Sequence, residues 1–292
     1  MSLQPLLDFR VVSLAVNLPG PVAASQLCRL GAQVTKIEPP AGDPLSVYAP
    51  QFYEQLREGQ NVRTLDLKSL AGMDELRDLL AETDLLLTSS RPAALTRLGL
   101  TWEGLHQRYP RLVQVAIVGF AEPRQDEPGH DLTYQAMTGL LDPPHLPHAL
   151  IADIGGAQQA VIAAMSLLLA RERGQGAGYV EVSLAEAAVS FSDPVKAGMT
   201  SNGGILGGGF PGYGLYDTSE GWIAVAALEP AFWERLQCEL NVTAPTKTDL
   251  QRSSDRGQLT SGKNGHSNAI CPSQLFVSPD NCRPLGTTSR RL

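Results

Sequence analysis

The chain has 292 residues, of which 43% are hydrophobic, and a formal net charge of −7. This length allows one large domain or two smaller ones with a sizeable buried core. The acidic balance and the lack of a basic block argue against a nucleic-acid partner and against a membrane-surface protein. No apolar run is long enough to predict a bilayer span, and residues 1–10 lack the pattern of a signal peptide.

The cysteines and histidines do not predict a metal site. Cys28, Cys238, Cys271 and Cys282 include no CxxC pair, and their spacing fits neither a zinc site nor a dense disulfide framework. His145 and His148 are loop histidines without a neighbouring cysteine or acidic cluster. We therefore expect reduced thiols in a cytoplasmic protein with no metal and no permanently bound cofactor.

The N-terminal residues predict a strand–helix–strand unit. Residues 10–16 indicate a buried strand, residues 22–30 a helix and residues 33–38 a second strand. Pro21 suits the first position of the helix, and Gly31 suits its C-terminal stop. Two strands joined by a helical crossover of this kind imply a parallel sheet.

The same alternation continues along the chain. It predicts a doubly wound, Rossmann-like α/β domain, although the G-x-G-x-x-G fingerprint of dinucleotide binding is absent. Further strands are predicted at residues 62–67, 84–88, 112–119 and 179–183, and helices at residues 72–80, 93–98, 102–109, 131–141, 154–171 and 184–192.

A smaller, truncated α+β domain is predicted after this sheet. Residues 201–214 are dense in glycine, which is typical of a mobile lid or phosphate cradle and equally of a flexible linker. A hairpin follows at residues 213–228 and a helix at residues 230–240. From about residue 245 the chain loses its apolar period, and we expect disorder there. The predicted domains are residues 1–195 (large, Rossmann-like), 196–240 (partial small domain) and 241–292 (aberrant tail).

His130 and Asp153 form the pair most suggestive of chemistry. A histidine and a carboxylate in small-residue surroundings can share acid–base work near neutral pH. A carboxylate near backbone N–H groups can also attack a thioester. Structural roles stay open beside these, since His130 can flank a helix cap and Asp153 can be the N-cap of a helix from Ile154. The helix dipole would then stabilise the Asp153 anion.

Three cations follow predicted strands. Lys36 ends the second strand, and Arg91 and Arg97 follow the strand at residues 84–88. Ligands of open α/β sheets bind beyond the carboxyl ends of the strands, and arginine grips phosphate oxygens through two parallel hydrogen bonds. The three side chains are therefore candidate phosphate contacts, and the alternative for each is a solvated surface cation.

In their order and spacing, several segments resemble the family III CoA-transferases, which include the alpha-methylacyl-CoA racemases. The similarity runs from Leu7 to Leu240. The segments that carry it are Pro19–Pro21, Leu30–Pro44, Leu65–Lys68, Arg91–Pro92, Arg97–Leu100, Pro110–Val113, Gly119–Phe120, Gly129–Asp131, Ala152–Gly156 and Ala227–Trp233.

This resemblance implies two interlocked chains, each with a Rossmann-like domain and a smaller domain, acting on acyl-CoA and a carboxylic acid. It implies catalytic roles for Asp153 and His130. The CoA contacts that it implies are Lys36, Arg63, Thr64, Leu65, Asp66, Ser89, Ser90, Arg91, Arg97, Gly129, Asp131 and Tyr134.

Two reactions occur among such relatives. In transferases the residue matching Asp153 attacks the thioester, whereas in racemases the residues matching His130 and Asp153 exchange the α-proton of a 2-methylacyl-CoA. Gly129–Tyr134 looks racemase-like, while Arg171–Gly176 and Val182–Leu184 resemble transferases, and we favour the transferase. From about Val242 the sequence matches nothing expected of the family. A shifted reading frame or truncated gene would produce such a tail, so a non-catalytic remnant is a third hypothesis.

Overall fold

The computed structural model describes residues 3–218, 221–255 and 273–274. The chain divides into two compact units, one that ends at Ser192 and one that begins at Asp193. Each unit has its own sheet and its own hydrophobic core.

The first unit is built on a six-stranded sheet in which every strand pairing is parallel. The strand order is β3-β2-β1-β4-β5-β6, which is the order of a Rossmann sheet. The strands are β1 (Arg10–Ser13), β2 (Gln33–Glu38), β3 (Asn61–Thr64), β4 (Leu85–Thr88), β5 (Val113–Val118) and β6 (Tyr179–Ser183). The predicted parallel α/β sheet is thereby confirmed.

Helices connect these strands. They are α1 (Pro19–Arg29), α2 (Leu45–Tyr48), α3 (Pro50–Arg57), α4 (Leu70–Ala81), α5 (Pro92–Leu98), α6 (Trp102–Arg108), α7 (Asp131–Thr138), α8 (Ile151–Glu172) and α9 (Leu184–Lys196). The sequence pattern does not predict α2 and α3. The first has four residues and the second buries only Tyr53 and Leu56, so neither shows a readable helical period.

Side chains of alternating direction build a core on each face of the sheet. In β4, Leu85 and Leu87 lie in the core on one face, and Leu86 lies in the core on the other. In β1, Val11 and Val12 divide in the same way. A sheet buried on both faces requires such continuous apolar strands, which explains why these strands are readable from the sequence.

Helix α8 is the longest helix of the described residues, and it lies against α1, β5 and β6. It is also the one described helix that is long and apolar enough to cross a membrane, contrary to our reading of the apolar runs. Its fully buried residues Ala152, Ala157 and Ala164 belong to the core of the first unit. This is the packing of a core helix, whose small side chains allow close approach to neighbouring elements.

A buried ionic network joins the segments that follow β1 and β2. The Lys36 ammonium is 1% exposed and forms ion pairs with Glu38 and with Asp43, the latter at 2.7 Å. The Tyr53 hydroxyl donates to Glu38 at 2.6 Å, and Asp43 Oδ1 accepts the backbone N–H of Asn17 at 3.0 Å. Burial raises the pKa of Glu38, but the hydrogen bonds from Lys36 and Tyr53 outweigh it and lower that pKa. The network holds Asn17 in a left-handed conformation with φ of 65°.

The second unit contains the predicted hairpin. Strands β7 (Tyr213–Thr218) and β8 (Gly221–Ala226) are antiparallel, and the two-residue strand β9 (Ser273–Gln274) pairs parallel with β8. Helix α10 (Pro230–Leu240) has the predicted bounds. The glycine-dense stretch forms a short wide turn at Ile205–Gly209.

The start of the predicted tail is ordered, which corrects our expectation for those residues. Helix α11 spans Lys247–Asp255, and Leu250 is fully buried in the core of the second unit beside Tyr216 and Ile223. The helix was missed because a single buried leucine in a polar segment leaves no apolar period. Residues 256–272 and 275–292, to which the prediction of disorder also applied, lie outside the described residues.

Removal of the Asp43 carboxylate is expected to destabilise the first unit. Asp43→Ala leaves Lys36 with one partner and takes the acceptor from the Asn17 amide. Breaking a buried pair from one side costs about 3–5 kcal/mol. Urea denaturation measures the change in the free energy of unfolding. Asp74→Ala is the matched control, since Asp74 pairs with Arg77 on the surface and should change stability by less than about 0.5 kcal/mol. Equal effects of both substitutions would contradict the role of the network.

Candidate active site

A cavity of about 500 Å³ opens at the carboxyl-terminal edge of the sheet. Its walls come from residues that follow four strands, namely β1, β4, β5 and β6, and from α2, α7, α8 and the loop before α7. They include Val16, Asn17, Tyr48, Ser89, Ser90, Arg91, Gly119, Glu127, Gly129, His130, Tyr134, Asp153 and Leu184. The strand order reverses between β1 and β4, and the crevice at such a switch point is where open α/β sheets bind ligands.

Asp153 lies in this cavity as the third residue of α8, since the helix begins at Ile151. It is therefore not the N-cap that the sequence suggests, and Leu150 occupies that position. Burial and the neighbouring Asp131 carboxylate raise the pKa of Asp153 to about 6, and His130 offsets part of this rise. This reverses the predicted stabilisation of the anion by the helix dipole, because desolvation and like charge outweigh it.

Helix α8 begins earlier than predicted because a side chain of α7 caps it. The Asp131 side chain is buried, and its Oδ1 accepts the backbone N–H of Asp153 at 3.0 Å. Its Oδ2 accepts a hydrogen bond from Gln135 Nε2 at 2.5 Å, and the same amide donates to Ala149 O at 2.9 Å. Asp131 was predicted to contact CoA, but its carboxylate is directed into this network and does not line the cavity.

His130 is the N-cap of α7, and its side chain is exposed at the cavity. Its backbone N–H donates to Thr133 Oγ1 at 3.1 Å, and the Thr133 hydroxyl donates back to His130 O at 2.7 Å. The ring therefore stands on a rigid helix end. Gly129 is required beside it, because a Cβ there would collide with the buried ring of Tyr134.

The turns that follow β1 and β4 are tied together. Ser89 Oγ accepts the backbone N–H of Val16 at 3.0 Å. Ser90 and Arg91 continue from Ser89 along the cavity wall, and Arg91 precedes the first residue of α5. The sheet thus brings together Ser89, Ser90 and Arg91 with His130, Tyr134 and Asp153, as the sequence predicts.

A second cavity of about 510 Å³ shares Val16 and Ser90 with the first. Its walls are mostly apolar, with polar groups among them. The apolar walls include Leu14, Ile37, Pro39, Pro40, Leu65, Leu67, Leu95 and Leu98, and the polar groups are Glu38, Asp66 and Lys68. Leu65 and Asp66, which were predicted to contact CoA, line this second cavity.

Arg97 lines a third opening, of about 570 Å³, that shares Leu67, Lys68 and Leu98 with the second. The three openings therefore adjoin one another along the edge of the sheet, on a path from Arg97 to Asp153. Lys68, Arg91 and Arg97 stand along it, and within the described ranges none of these cations is in ion-pair distance of a carboxylate.

Three predicted contacts lie elsewhere. Lys36 is buried, and its charge is satisfied by Glu38 and Asp43, so it does not reach either cavity. Arg63 pairs with Glu75 at 3.4 Å on the exposed side of β3, and Thr64 is exposed at the end of that strand. Lys36 is the fourth of the six residues of β2 and does not end the strand. A lysine near the end of a predicted strand gives no sequence signal that distinguishes an internal ion pair from a surface cation.

Tyr48 and Lys68 are the site residues that sequence reasoning missed. Tyr48 lines the cavity of Asp153, and burial and the charges of Asp43 and Asp153 raise its pKa. It comes from α2, which has no readable period. Lys68 carried a signal, because it follows the third predicted strand just as Arg91 follows the fourth.

Across residues 3–218, 221–255 and 273–274, no group of three or more His, Cys, Asp or Glu side chains is arranged to hold a metal ion. The chemistry that these residues support is that of a partly buried carboxylate, an exposed imidazole and a row of cations.

Comparison with known proteins relates this geometry to a family. The family model described as CoA-transferase family III matches residues 6–264. The match continues past Leu240, where the resemblance was expected to end, and it includes α11. The sequence thus follows the family further than its polar composition suggests.

Individual relatives include both transferases and racemases. The chain is 35% identical over 202 residues to the cinnamoyl-CoA:phenyllactate CoA-transferase of Clostridium sporogenes, covering 62% of this chain and 49% of that one. It is 30% identical over 264 residues to the alpha-methylacyl-CoA racemase of Mus musculus, covering 84% and 67%. The chain spans about half to two thirds of the length of the first curated relatives it matches.

A solved structure shows the same fold. The crystal structure of a CAIB/BAIF family protein from Brucella suis has a TM-score of 0.72 and 25% sequence identity, with 82% of this chain and 71% of that chain covered.

Asp153→Asn is expected to stabilise the protein at neutral pH. Because the pKa of Asp153 in the folded chain, about 6, lies above its ordinary 3.8, the folded protein binds this proton more tightly than the unfolded one. The free energy of unfolding therefore falls as the pH rises from about 4 to about 6 and is level above. Asparagine imitates the neutral acid. The free energy of unfolding of the variant should therefore be close to that of wild type at about pH 4 and exceed it by about 2–3 kcal/mol at about pH 7.

Urea denaturation across this pH range measures the gain. Asp142→Asn is the control, because the Asp142 carboxylate is 97% exposed and should leave the pH dependence unchanged. The same pH dependence in wild type and Asp153→Asn would contradict the raised pKa.

Proposed function

Since the chain belongs to CoA-transferase family III, we propose that it moves CoA from an acyl-CoA thioester to a carboxylic acid, with Asp153 as the nucleophile. The observation that carries this proposal is the Asp153 carboxylate, partly buried in the cavity at the switch point with its pKa raised to about 6. At neutral pH such a carboxylate is ionised and more basic than an ordinary aspartate, which suits attack on a carbonyl carbon.

The reaction proceeds through covalent forms of Asp153. Its carboxylate attacks the thioester carbonyl, the carbon–sulfur bond breaks, and an acyl–aspartyl anhydride and CoA thiolate result. The thiolate attacks the aspartyl carbonyl, which releases the first carboxylate and leaves an aspartyl-CoA thioester. The acceptor carboxylate then attacks this thioester, which forms a second acyl–aspartyl anhydride and releases the thiolate. The thiolate attacks the acyl carbonyl of this anhydride, the bond to Asp153 breaks, and the new acyl-CoA and the free Asp153 carboxylate result.

CoA is the substrate that fits the path along the sheet edge. The apolar cavity beyond β1, β2 and β3 offers walls for an adenine ring, and Glu38 and Asp66 in its lining can accept hydrogen bonds from hydroxyl or amino groups. Lys68 and Arg97 stand on the side away from Asp153 and suit the phosphates. The thioester then reaches Asp153 past Ser90 and Arg91. Lys36 is not part of this proposal, since its charge is satisfied internally.

A homodimer and a cytoplasmic location are proposed from the family resemblance. The first unit supplies a surface for a dimer, because large apolar side chains on α8 and α9 are exposed. They are Ile162, Leu169, Val189 and Phe191.

Racemisation of a 2-methylacyl-CoA is the second candidate function. The observation that favours it is the presence of His130 and Asp153 in one cavity, with an Asp153 pKa near 6 that suits proton transfer near neutral pH. The similarity to the murine racemase supports it as well. In this reaction the two side chains only move protons, and no bond forms between Asp153 and the acyl group.

Covalent trapping distinguishes the two reactions. Incubation with acyl-CoA followed by borohydride or hydroxylamine should label Asp153 in mass spectra if CoA is transferred, and Asp153→Asn should abolish the label. In heavy water a racemase would instead exchange the α-hydrogen of a 2-methylacyl-CoA, and His130→Ala would abolish that exchange. If the protein binds CoA yet shows neither adduct nor exchange, the non-catalytic hypothesis is the correct one.

Arg97→Ala is expected to weaken CoA binding about tenfold or more, because a charge-assisted phosphate contact contributes about 1.5–3 kcal/mol. Isothermal titration calorimetry with CoA measures the change. Arg173→Ala is the control, since Arg173 is an exposed arginine at the far end of α8 that lines none of the three openings. Unchanged affinity in Arg97→Ala would remove this residue from the site.

A further inference from the structure

The N-terminus of α8 is capped by a residue that does not belong to it. The local N-cap position is Leu150, whose side chain cannot accept a hydrogen bond, and the first intrahelical bond of α8 is from the Ile154 N–H to Leu150 O. The amide of Asp153 therefore has no acceptor within its own helix. Asp131 of α7 supplies that acceptor at 3.0 Å.

The Asp131 carboxylate is itself fixed. It is 4% exposed, it occupies the first helical position of α7, and Gln135 Nε2 holds its second oxygen. Gln135 is fully buried and also donates to Ala149 O, in the segment that leads into α8. Two helix ends and the connecting segment are thus joined at one carboxylate.

This arrangement has a consequence for the charge at Asp153. An acidic residue in the first turn of a helix ordinarily gains from the free N–H groups and the dipole. Here a second carboxylate occupies the amide of Asp153 and places a like charge beside its side chain. The anion of Asp153 is thereby made less stable than at an ordinary helix end.

We propose that Asp131 is a positioning residue, which caps α8 from α7, fixes the main chain of Asp153 and keeps a second negative charge next to the Asp153 carboxylate. The inference rests on the proposed function for its catalytic meaning, because a more basic carboxylate is a stronger nucleophile or base. Asp131 acts through Asp153 and touches neither cavity. Its contribution is to hold Asp153 in place and to keep it reactive.

The charged and titratable groups around Asp153 bear on the pH at which its carboxylate titrates. Charged and titratable side chains reach its cavity from α2, from the turn after β4, from the loop before α7 and from α7. They are Tyr48, Arg91, Glu127, His130 and Tyr134, while Asp131 faces Asp153 from α7 without lining the cavity. Of these, Asp131 raises and His130 lowers the pKa of Asp153, while burial raises it most.

The test is a pH titration of Asp153 in the full chain, followed by the ¹³Cγ resonance of labelled aspartate and assigned by its loss in Asp153→Asn. Asp131→Asn keeps an acceptor for the Asp153 amide but removes the charge. The Asp153 midpoint, about 6 in wild type, is expected to fall by about one pH unit in this variant. The control Asp142→Asn removes an exposed carboxylate and should not shift it. An unchanged midpoint in Asp131→Asn overturns the proposal.

This titration needs no turnover, so it reports on Asp131 even if the protein does not transfer CoA. Where transfer is observed, Asp131→Asn should move the acidic limb of the pH profile of kcat/KM down by the same amount and leave the Kd for CoA unchanged. A purely structural role would not move that limb.

A second measurement covers the case in which Asp131→Asn does not fold. In wild type the Asp153 amide should exchange slowly with solvent deuterium, although a helix leaves its third amide without an internal acceptor. Exchange of the Asp153 amide at the rate of an unprotected loop amide would overturn the capping role.

Discussion

Parallel pairing of all six strands is the constraint on which the site depends. Because every strand of the first unit runs in the same direction, the segments that follow β1, β2, β3, β4, β5 and β6 all emerge at one edge of the sheet. The order reverses between β1 and β4, so the turns after these strands diverge and leave a crevice there. The openings along this edge adjoin one another because their walls come from neighbouring strand ends.

The cations of this edge divide into two kinds by their surroundings. Lys36 is enclosed by Glu38 and Asp43, and its charge fixes the loops that follow β1 and β2. Lys68, Arg91 and Arg97 lie at the openings, and within the described ranges no carboxylate pairs with them. A buried charge without a partner is unfavourable by several kcal/mol, so the buried cation must be paired with carboxylates inside the protein. Exposed cations are solvated and need no such partner. Burial therefore decides which of them is neutralised inside the protein and which remain exposed at the openings.

Asp131 has opposite effects at the start of α8, because it stabilises the helix end and destabilises the Asp153 anion. The Asp131 carboxylate strengthens the start of α8 by accepting an amide that its own helix cannot satisfy. The same charge, together with burial, makes the ionised form of Asp153 less stable than that of an ordinary aspartate. Active sites commonly hold such unfavourable groups, because a stabilised carboxylate is a weak base and a weak nucleophile. The long helix α8 tolerates this local loss of stability, because its buried alanines lie in the main core of the unit.

Prediction from sequence succeeded where a residue's role follows from its neighbours along the chain. Strands β2 and β6 and helix α10 have the predicted bounds, since a proline or glycine marks at least one end of each. It failed for α2, α3 and α11, in which few residues are buried and no period survives. It also placed Asp153 at the cap of α8, because the acceptor that lets the helix begin at Ile151 belongs to α7, 22 residues earlier.

The sequence by itself determined the parallel α/β architecture, the family and the residues that meet at the sheet edge, namely Ser89, Arg91, His130 and Asp153. The architecture follows from apolar periodicity, and the place of Arg91 from the rule that parallel strands end together. The family and Ser89 follow from the resemblance of motif segments, and His130 and Asp153 from their titratable side chains in small-residue surroundings and from that same resemblance. Only the tertiary structure decided that Lys36 is an internal ion pair, that Asp131 caps α8 and that Asp153 has a raised rather than a lowered pKa. Each of these depends on burial and on distances between residues that are far apart in the chain, and electrostatic energies change with exactly those two quantities.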